Sequence, residues 1–270
     1  MLASITITIV VIYGVLCAFV FAFQRRLIYF PTRVSSAVAE QAARQDGFTP
    51  WRNATGQIIG WTLAANSAPT GSVLVIHGNA GYALERDYIA RPVHDAAAVD
   101  VFILEYPGYG AREGSPNLES WLAAGEEAFA ALPTNTPRYV VSESIGAGVA
   151  AHLAGTHPQE VAGLAMIVPY DNLASVGQNQ MRLFPAYWLL RDRFHPSEWL
   201  KSYDGPVKVL LAEKDEIIPP RFGQRLFDAY QGPKTLQTIR GAQHNEVAEQ
   251  PPEWWREVFA FWQTNVAGRK

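Results

Sequence analysis

The chain is poor in cysteine, in charge and in basic clusters, and each shortage removes a class of function. A single cysteine, Cys17, stands among 270 residues. No intramolecular disulfide can form, and cysteine-rich zinc sites lack their ligand set. Charged residues make up only 17% of the chain, and 22 Lys and Arg against 25 Asp and Glu leave a net charge of −3. The cations are scattered, so no basic stripe marks a nucleic-acid partner. Internal repeats and low-complexity linkers are missing as well. Hydrophobic residues reach 49%, ample material for a buried core and unlike a disordered chain.

The longest uncharged run lies at the start. Residues 2–23 carry no charged side chain. As a helix rising ~1.5 Å per residue they span roughly 33 Å, against a hydrocarbon core of ~30 Å. The hydroxyls of Ser4, Thr6 and Thr8 are tolerable there because each can bond a carbonyl of the previous turn. A cleaved signal peptide is the rival, but it requires a basic leading segment, and Met1–Leu2–Ala3 supplies only the amino terminus. The expectation is a transmembrane anchor over residues 1–25 and a folded domain over residues 26–270, whose soluble part begins near Arg26. Arg25, Arg26, Arg33 and Arg44 follow the run and no Lys or Arg precedes it. The positive-inside tendency then places the folded domain in the cytoplasm.

Beyond the anchor, short apolar runs alternate with helical patterns. Residues 57–65, 72–76, 100–105, 138–142, 161–168, 207–212 and 234–239 read as strands. Residues 83–98 (interrupted by Pro92), 117–132, 145–155, 222–230 and 252–266 read as helices. Runs without strict alternation indicate parallel strands covered on both faces. The fold class is therefore α/β with an open, mostly parallel sheet, and ligands in such sheets sit beyond the carboxyl ends of the strands. Residues 170–203 break the alternation. They are rich in large aromatics (Phe184, Tyr187, Trp188, Phe194, Trp199) and are interrupted by Pro185 and Pro196, which predicts an inserted cap of one to three short helices.

Four strand ends carry reactive side chains. Ser142–Glu143–Ser144–Ile145–Gly146 joins a strand to a helix, a turn that lifts a serine hydroxyl above the sheet and requires small residues two before and two after it. His77–Gly78–Asn79–Ala80–Gly81 follows an earlier strand. A backbone N–H from this turn, from Asn79 or failing that Ala80, would join the N–H of Ile145 in an oxyanion hole. Asp215 follows the strand VKVLLA, and His244 follows TLQTI. Ser144, Asp215 and His244 thus share one sheet edge in the chain order nucleophile, acid, base. Singly, each has a plain structural explanation. Together and in this order, they are a catalytic constellation.

These motifs make the chain similar to the alpha/beta-hydrolase superfamily over roughly residues 45–265. It most resembles the membrane-anchored single-domain members, in which a hydrophobic N-terminus runs into a segment like Gln24–Arg25–Arg26–Leu27–Ile28–Tyr29–Phe30–Pro31–Thr32. Tyr106–Pro107–Gly108–Tyr109–Gly110, Glu113–Gly114–Ser115–Pro116 and Asp215–Glu216–Ile217–Ile218–Pro219 match that group too. The resemblance implies an eight-stranded mostly parallel sheet with helices on both faces and a small helical cap. It also implies serine esterase, thioesterase or lipase-like activity on a small-molecule or lipid acyl substrate, without metal or cofactor. Amide or peptide cleavage and deacylation of lipid-modified proteins use the same triad, and a non-catalytic membrane scaffold is the alternative of another class. The chain departs from the pattern at Ser142, where glycine is usual. Glu143 also sets a carboxylate beside the nucleophile, which would disfavour anionic substrates if it faced the pocket.

Other candidates are weaker. Asp171 follows a strand and could replace Asp215 as the acid. His77 is expected to shape its turn, His94, His152 and His157 to be solvated or core residues, and His195 to be structural. Glu105 stands where it could pair with Arg112, and Trp254–Trp255 is expected to pack a helix on the sheet.

Overall fold

A computed structural model of the chain describes residues 1–266. Its centre is an eight-stranded sheet. In chain order the strands are β1 (Thr49–Arg52), β2 (Ile58–Leu63), β3 (Gly71–Ile76), β4 (Val99–Leu104), β5 (Arg138–Glu143), β6 (Val161–Ile167), β7 (Val207–Ala212) and β8 (Lys234–Ile239). Their spatial order is 8-7-6-5-3-4-2-1. All neighbours are parallel except β1 with β2 and β2 with β4.

Side-chain alternation divides the core between the two sheet faces. Leu74, Ile76, Val140, Leu164, Met166, Val209 and Leu211 face one way. Helices α4 (Leu118–Ala130), α5 (Ala147–Thr156) and α9 (Pro220–Ala229) cover that face. Val73, Val75, Val101, Ile103, Val141, Ala165 and Leu210 face the other way. There α2 (Ser36–Gln45), α3 (Asp87–Ala96) and α10 (Pro252–Val266) lie over them. Trp255 and Trp262 of α10 are fully buried, and the Trp262 ring sits where a Cβ on Gly163 of β6 would fall, 2.4 Å away.

Within the sheet and the helices that cover it, the sequence expectations differ from this fold at three places. β1 is a four-residue edge strand containing Pro50, a position that tolerates proline because one side of the strand has no ladder partner. α2 buries only the small side chains of Ala39 and Ala43, a faint signal, and follows Ser35, whose hydroxyl caps the Val38 N–H at 3.3 Å. α3 does not break at Pro92. The buried residues Ile89, Ala90 and Val93 hold it to the sheet, and that packing outweighs one lost backbone bond.

The N-terminal helix α1 runs over Leu2–Ile28, past the expected boundary at residue 25. Among the described residues it is the one helix long and apolar enough to cross a membrane. Between β6 and β7, residues 170–203 form three short helices, α6 (Leu173–Gln180), α7 (Ala186–Leu189) and α8 (Pro196–Trp199), with a 3-10 turn at Leu200–Ser202. The last four residues of the expected 26–270 domain fall outside the described part.

Candidate active site

β5 ends at Glu143 and α5 begins at Ala147, so the turn between them has three residues. Ser144 takes a left-handed backbone with φ 53°, a conformation that a non-glycine residue adopts only when its surroundings enforce it. What enforces it here is the crossing of β5–α5 over the end of β3. A Cβ on Gly146 would lie 2.6 Å from the His77 carbonyl oxygen and 2.7 Å from that of Ile76, so only glycine fits. Ser142, in the usual glycine position, is buried and its hydroxyl donates to the Ala165 carbonyl of β6 at 3.4 Å.

The structure brings the three predicted residues of the constellation together. Ser144 Oγ lies 3.0 Å from His244 Nε2, and His244 Nδ1 lies 2.6 Å from Asp215 Oδ2. All three are buried, with 7%, 8% and 5% of their surface exposed. The second carboxylate oxygen, Asp215 Oδ1, accepts the backbone N–H groups of Ile217 at 2.9 Å and Ile218 at 2.7 Å. A carboxylate oxygen can only accept, so His244 carries its proton on Nδ1 and presents a bare Nε2 to the serine hydroxyl. Asp171 is elsewhere. Its carboxylate is held in a two-pronged contact by Arg225, at 2.8 and 3.1 Å.

The turn after β3 is set by His77. Its ring is fully buried, and Nδ1 lies 2.8 Å from the Gly78 carbonyl, so Nδ1 must be the donor. Loss of solvation pushes its pKa well below the usual histidine range, so the ring is neutral. In a trans peptide the N–H points opposite to the C=O. With the Gly78 carbonyl drawn toward His77, the Asn79 N–H is turned away from the imidazole. Asn79, Ser144 and Ile145 line one cavity. The Asn79 carbonyl accepts from the Phe30 N–H and the Tyr109 hydroxyl, both at 2.8 Å, and its side-chain amide donates to the Ile28 carbonyl at 2.8 Å.

Glu143 does not line the cavity. Its carboxylate accepts from Arg86 Nε at 3.0 Å and from the Tyr88 hydroxyl at 2.9 Å, which binds the elbow to the segment after the His77 turn. The Arg86 guanidinium thereby balances the carboxylate charge beside Ser144. The expected pairing of Glu105 with Arg112 is not formed between side chains. The Arg112 guanidinium donates to the Glu105 backbone carbonyl at 2.8 Å and pairs with the Glu127 carboxylate. Glu105 instead accepts from the Ala83 N–H at 3.1 Å and the Trp61 indole at 3.4 Å, while full burial pushes its pKa up to about 7. His94 bonds the Ala64 carbonyl, His152 and His157 share Glu126, and His195 meets Asn172.

The cavity above Ser144 measures about 240 Å³ and its wall is almost wholly apolar. The segment 170–203 contributes Leu173, Val176, Met181, Phe184 and Leu189, and the Asp215 loop contributes Ile217 and Ile218. The remaining wall is α1, through Val20, Gln24, Leu27 and Ile28. The two glutamines of the lining spend their amides elsewhere. Gln24 donates to the Phe21 and Leu189 carbonyls and accepts from the Arg191 N–H. Gln180 donates to the Glu216 and Ile217 carbonyls. A soluble part cut at Arg26 would therefore lack Val20 and Gln24 of the wall. Periodicity could not reveal this role, because a helix that is apolar all round shows no distinct face.

No family profile matches the chain. An uncharacterised protein of Mycobacterium tuberculosis is 32% identical over 253 residues, which is 91% of this chain and 88% of that protein. The protein bem46 of Schizosaccharomyces pombe is 31% identical over 166 residues, 57% of this chain and 54% of its own length. A lysophosphatidylserine lipase, ABHD12 of Danio rerio, is 25% identical over 210 residues, covering 69% of this chain and 54% of its own. Among solved structures, the Pyrococcus furiosus esterase Pf2001 aligns with a TM-score of 0.65 at 16% identity, over 88% of this chain and 98% of that one. Est1E of Butyrivibrio proteoclasticus, bound to ferulic acid, aligns with a TM-score of 0.64 at 16% identity, over 81% and 100%.

Proposed function

The chain belongs to the alpha/beta-hydrolase superfamily and is an enzyme of its serine-hydrolase kind, and on that premise we propose that it cleaves carboxylic ester or thioester bonds of acyl substrates through Ser144, His244 and Asp215. The observation that carries this proposal is the hydrogen-bonded series Asp215–His244–Ser144, ending on a serine in a left-handed backbone.

In this mechanism His244 Nε2 takes the Ser144 proton as Oγ attacks the carbonyl carbon. The imidazole becomes positively charged, and Asp215, itself held by two backbone N–H groups, stabilises that charge and keeps the ring in place. The carbonyl oxygen, now an oxyanion, is received by the N–H groups of Asn79 and Ile145, one such donor being worth ~3 kcal/mol in other enzymes. His244 returns its proton to the leaving alcohol or thiol, which departs and leaves an acyl group on Ser144. Water then enters and attacks the acyl carbon as His244 removes its proton; the bond to Ser144 Oγ breaks, His244 passes the proton to Oγ, and the carboxylic acid leaves.

The substrate class follows from the wall of the cavity. With its glutamines already bonded, the lining offers a chain of methylenes little but apolar contact. The α1 helix serves as a single-pass anchor with the hydrolase domain on the cytoplasmic side, and residues 170–203 act as the cap. An acyl lipid is the fitting substrate, in keeping with the lipase named among the relatives.

Ser144→Ala in the full-length chain is expected to abolish both fluorophosphonate labelling and p-nitrophenyl butyrate hydrolysis while leaving the thermal melt in place. Labelling that persists in the variant would refute the assignment.

A further inference from the structure

The α1 helix does more than tether the domain, because part of its length lies against the cap. Tyr13 donates its hydroxyl to the Leu183 carbonyl at 2.8 Å and stacks on Phe184 at 6.3 Å. Lower down, Gln24 bonds both Leu189 and Arg191, and Arg25 makes a bidentate pair with the buried Asp192, each contact at 2.9 Å. At its end, Ile28 is bonded by Asn79, and Phe30–Pro31 pairs in parallel with Ala80–Gly81.

Length arithmetic gives this packing a consequence. Residues 2–12 rise free of the cap, and at ~1.5 Å per residue they measure roughly 16 Å, about half the ~30 Å hydrocarbon core. The helix spans the bilayer only if the stretch from Tyr13 to Phe23 also lies in hydrocarbon. The cap tip beside that stretch must then lie there too.

The tip meets the demands of such a place. Its side chains Leu183 and Trp188 are 82% and 83% exposed, the large apolar surface that water disfavours and lipid accepts. Backbone in hydrocarbon needs internal partners, and side chains supply them to three groups of the tip. Tyr13 satisfies the Leu183 carbonyl, while Gln178 satisfies the Phe184 carbonyl and the Ala186 N–H. The neighbouring Arg182 lines a separate polar groove with Arg221 and Arg225.

We propose that the cap tip, residues 183–188, is embedded with α1 in the proximal leaflet, and that the acyl chain of a bilayer lipid enters the cavity sideways along α1. The second half of this proposal rests on the hydrolase assignment above. The first half does not. Val20, Leu27 and Ile28 then form the face along which the chain slides to Ser144, and α1 becomes a determinant of acyl length.

The test uses the full-length protein in phosphatidylcholine vesicles. Acyl chains brominated near the headgroup should quench tryptophan fluorescence, and Trp188→Phe should remove most of that quenching. Equal quenching of the parent and the variant overturns the embedding. The variant Leu183→Ser/Trp188→Ser should lower kcat/KM by about tenfold or more on a long-chain ester held in vesicles, through lost apolar burial, and leave hydrolysis of a water-soluble acetyl ester unchanged. Equal loss on both substrates overturns lateral entry. Val20→Trp should shorten the longest acyl chain accepted. A parent without activity on the acetyl ester would defeat the hydrolase assignment, while the quenching would still decide the embedding.

Discussion

Replacing Asp215 by asparagine isolates the one contribution of this residue that is chemical rather than architectural. The two side chains have the same shape. The amide oxygen of asparagine can still accept the N–H groups of Ile217 and Ile218, now received at 2.9 and 2.7 Å. Each such bond contributes about 1 kcal/mol, so the loop and the melting temperature should stay near those of the parent. The other end of the side chain changes sign. An amide NH2 donates where the carboxylate accepted, and at 2.6 Å it can be met only by a bare Nδ1. The imidazole proton is then transferred to Nε2, which faces Ser144 Oγ at 3.0 Å and can no longer take the serine proton. The loss expected from the wrong tautomer is ~10⁴-fold in kcat, or about 5 kcal/mol of barrier. The assay is p-nitrophenyl butyrate hydrolysis by detergent-solubilised full-length protein, with a thermal melt in parallel. A variant within about tenfold of the parent would refute the role given to Asp215. So would a comparable loss in Asp171→Asn, since the Asp171 carboxylate is turned to Arg225.

Two further outcomes are expected. Gly146→Ala places a Cβ 2.6 and 2.7 Å from two carbonyl oxygens of the β3 end. Backbone cannot yield as a side chain can, so a cost of about 1–3 kcal/mol should lower the melting temperature by roughly 3–10 °C, and serine labelling should slow because the elbow shifts. Glu105→Gln tests the buried carboxyl. Its pKa stands at about 7 in the fold against 4.5 in the open chain, so between those values the native state keeps a proton that the unfolded chain has lost. Stability from this group is present at pH 5 and falls as pH rises to about 7. The variant should gain on the parent by an amount on the order of 3 kcal/mol between pH 5 and pH 8, measured by denaturant unfolding, and a constant difference across that range would show that Glu105 does not titrate there. His77, held neutral by burial, acts with the opposite sign, costing stability as pH falls below its ordinary value of 6.5.

Much of this protein was legible in its sequence, for a local reason. Parallel strands buried on both faces must be short apolar runs. A strand-to-helix turn with a positive φ must be small around its serine. The side chains that act at the edge of an open sheet must come just after strand ends. All three are constraints on a few consecutive residues, and they yielded the α/β class, the seven longer strands and the positions of Ser144, Asp215 and His244. Where local constraint was weak, as at β1 with its Pro50 and at α2 with only alanines on its buried face, the sequence was silent.

Tertiary structure alone decided the rest. That Glu143 points to Arg86 and Tyr88 rather than to the cavity depends on residues 57 and 55 positions away. That Asp215 meets His244 while Asp171 is held by Arg225 depends on partners 29 and 54 positions away. Above all, the uniformly apolar α1 carries in its sequence the property of insolubility in water and nothing about which side faces protein. Its partners Leu183, Leu189 and Asp192 lie more than 160 residues along the chain. Only folding brings them together, and in doing so it turns an apolar terminal helix into a wall of the cavity above Ser144.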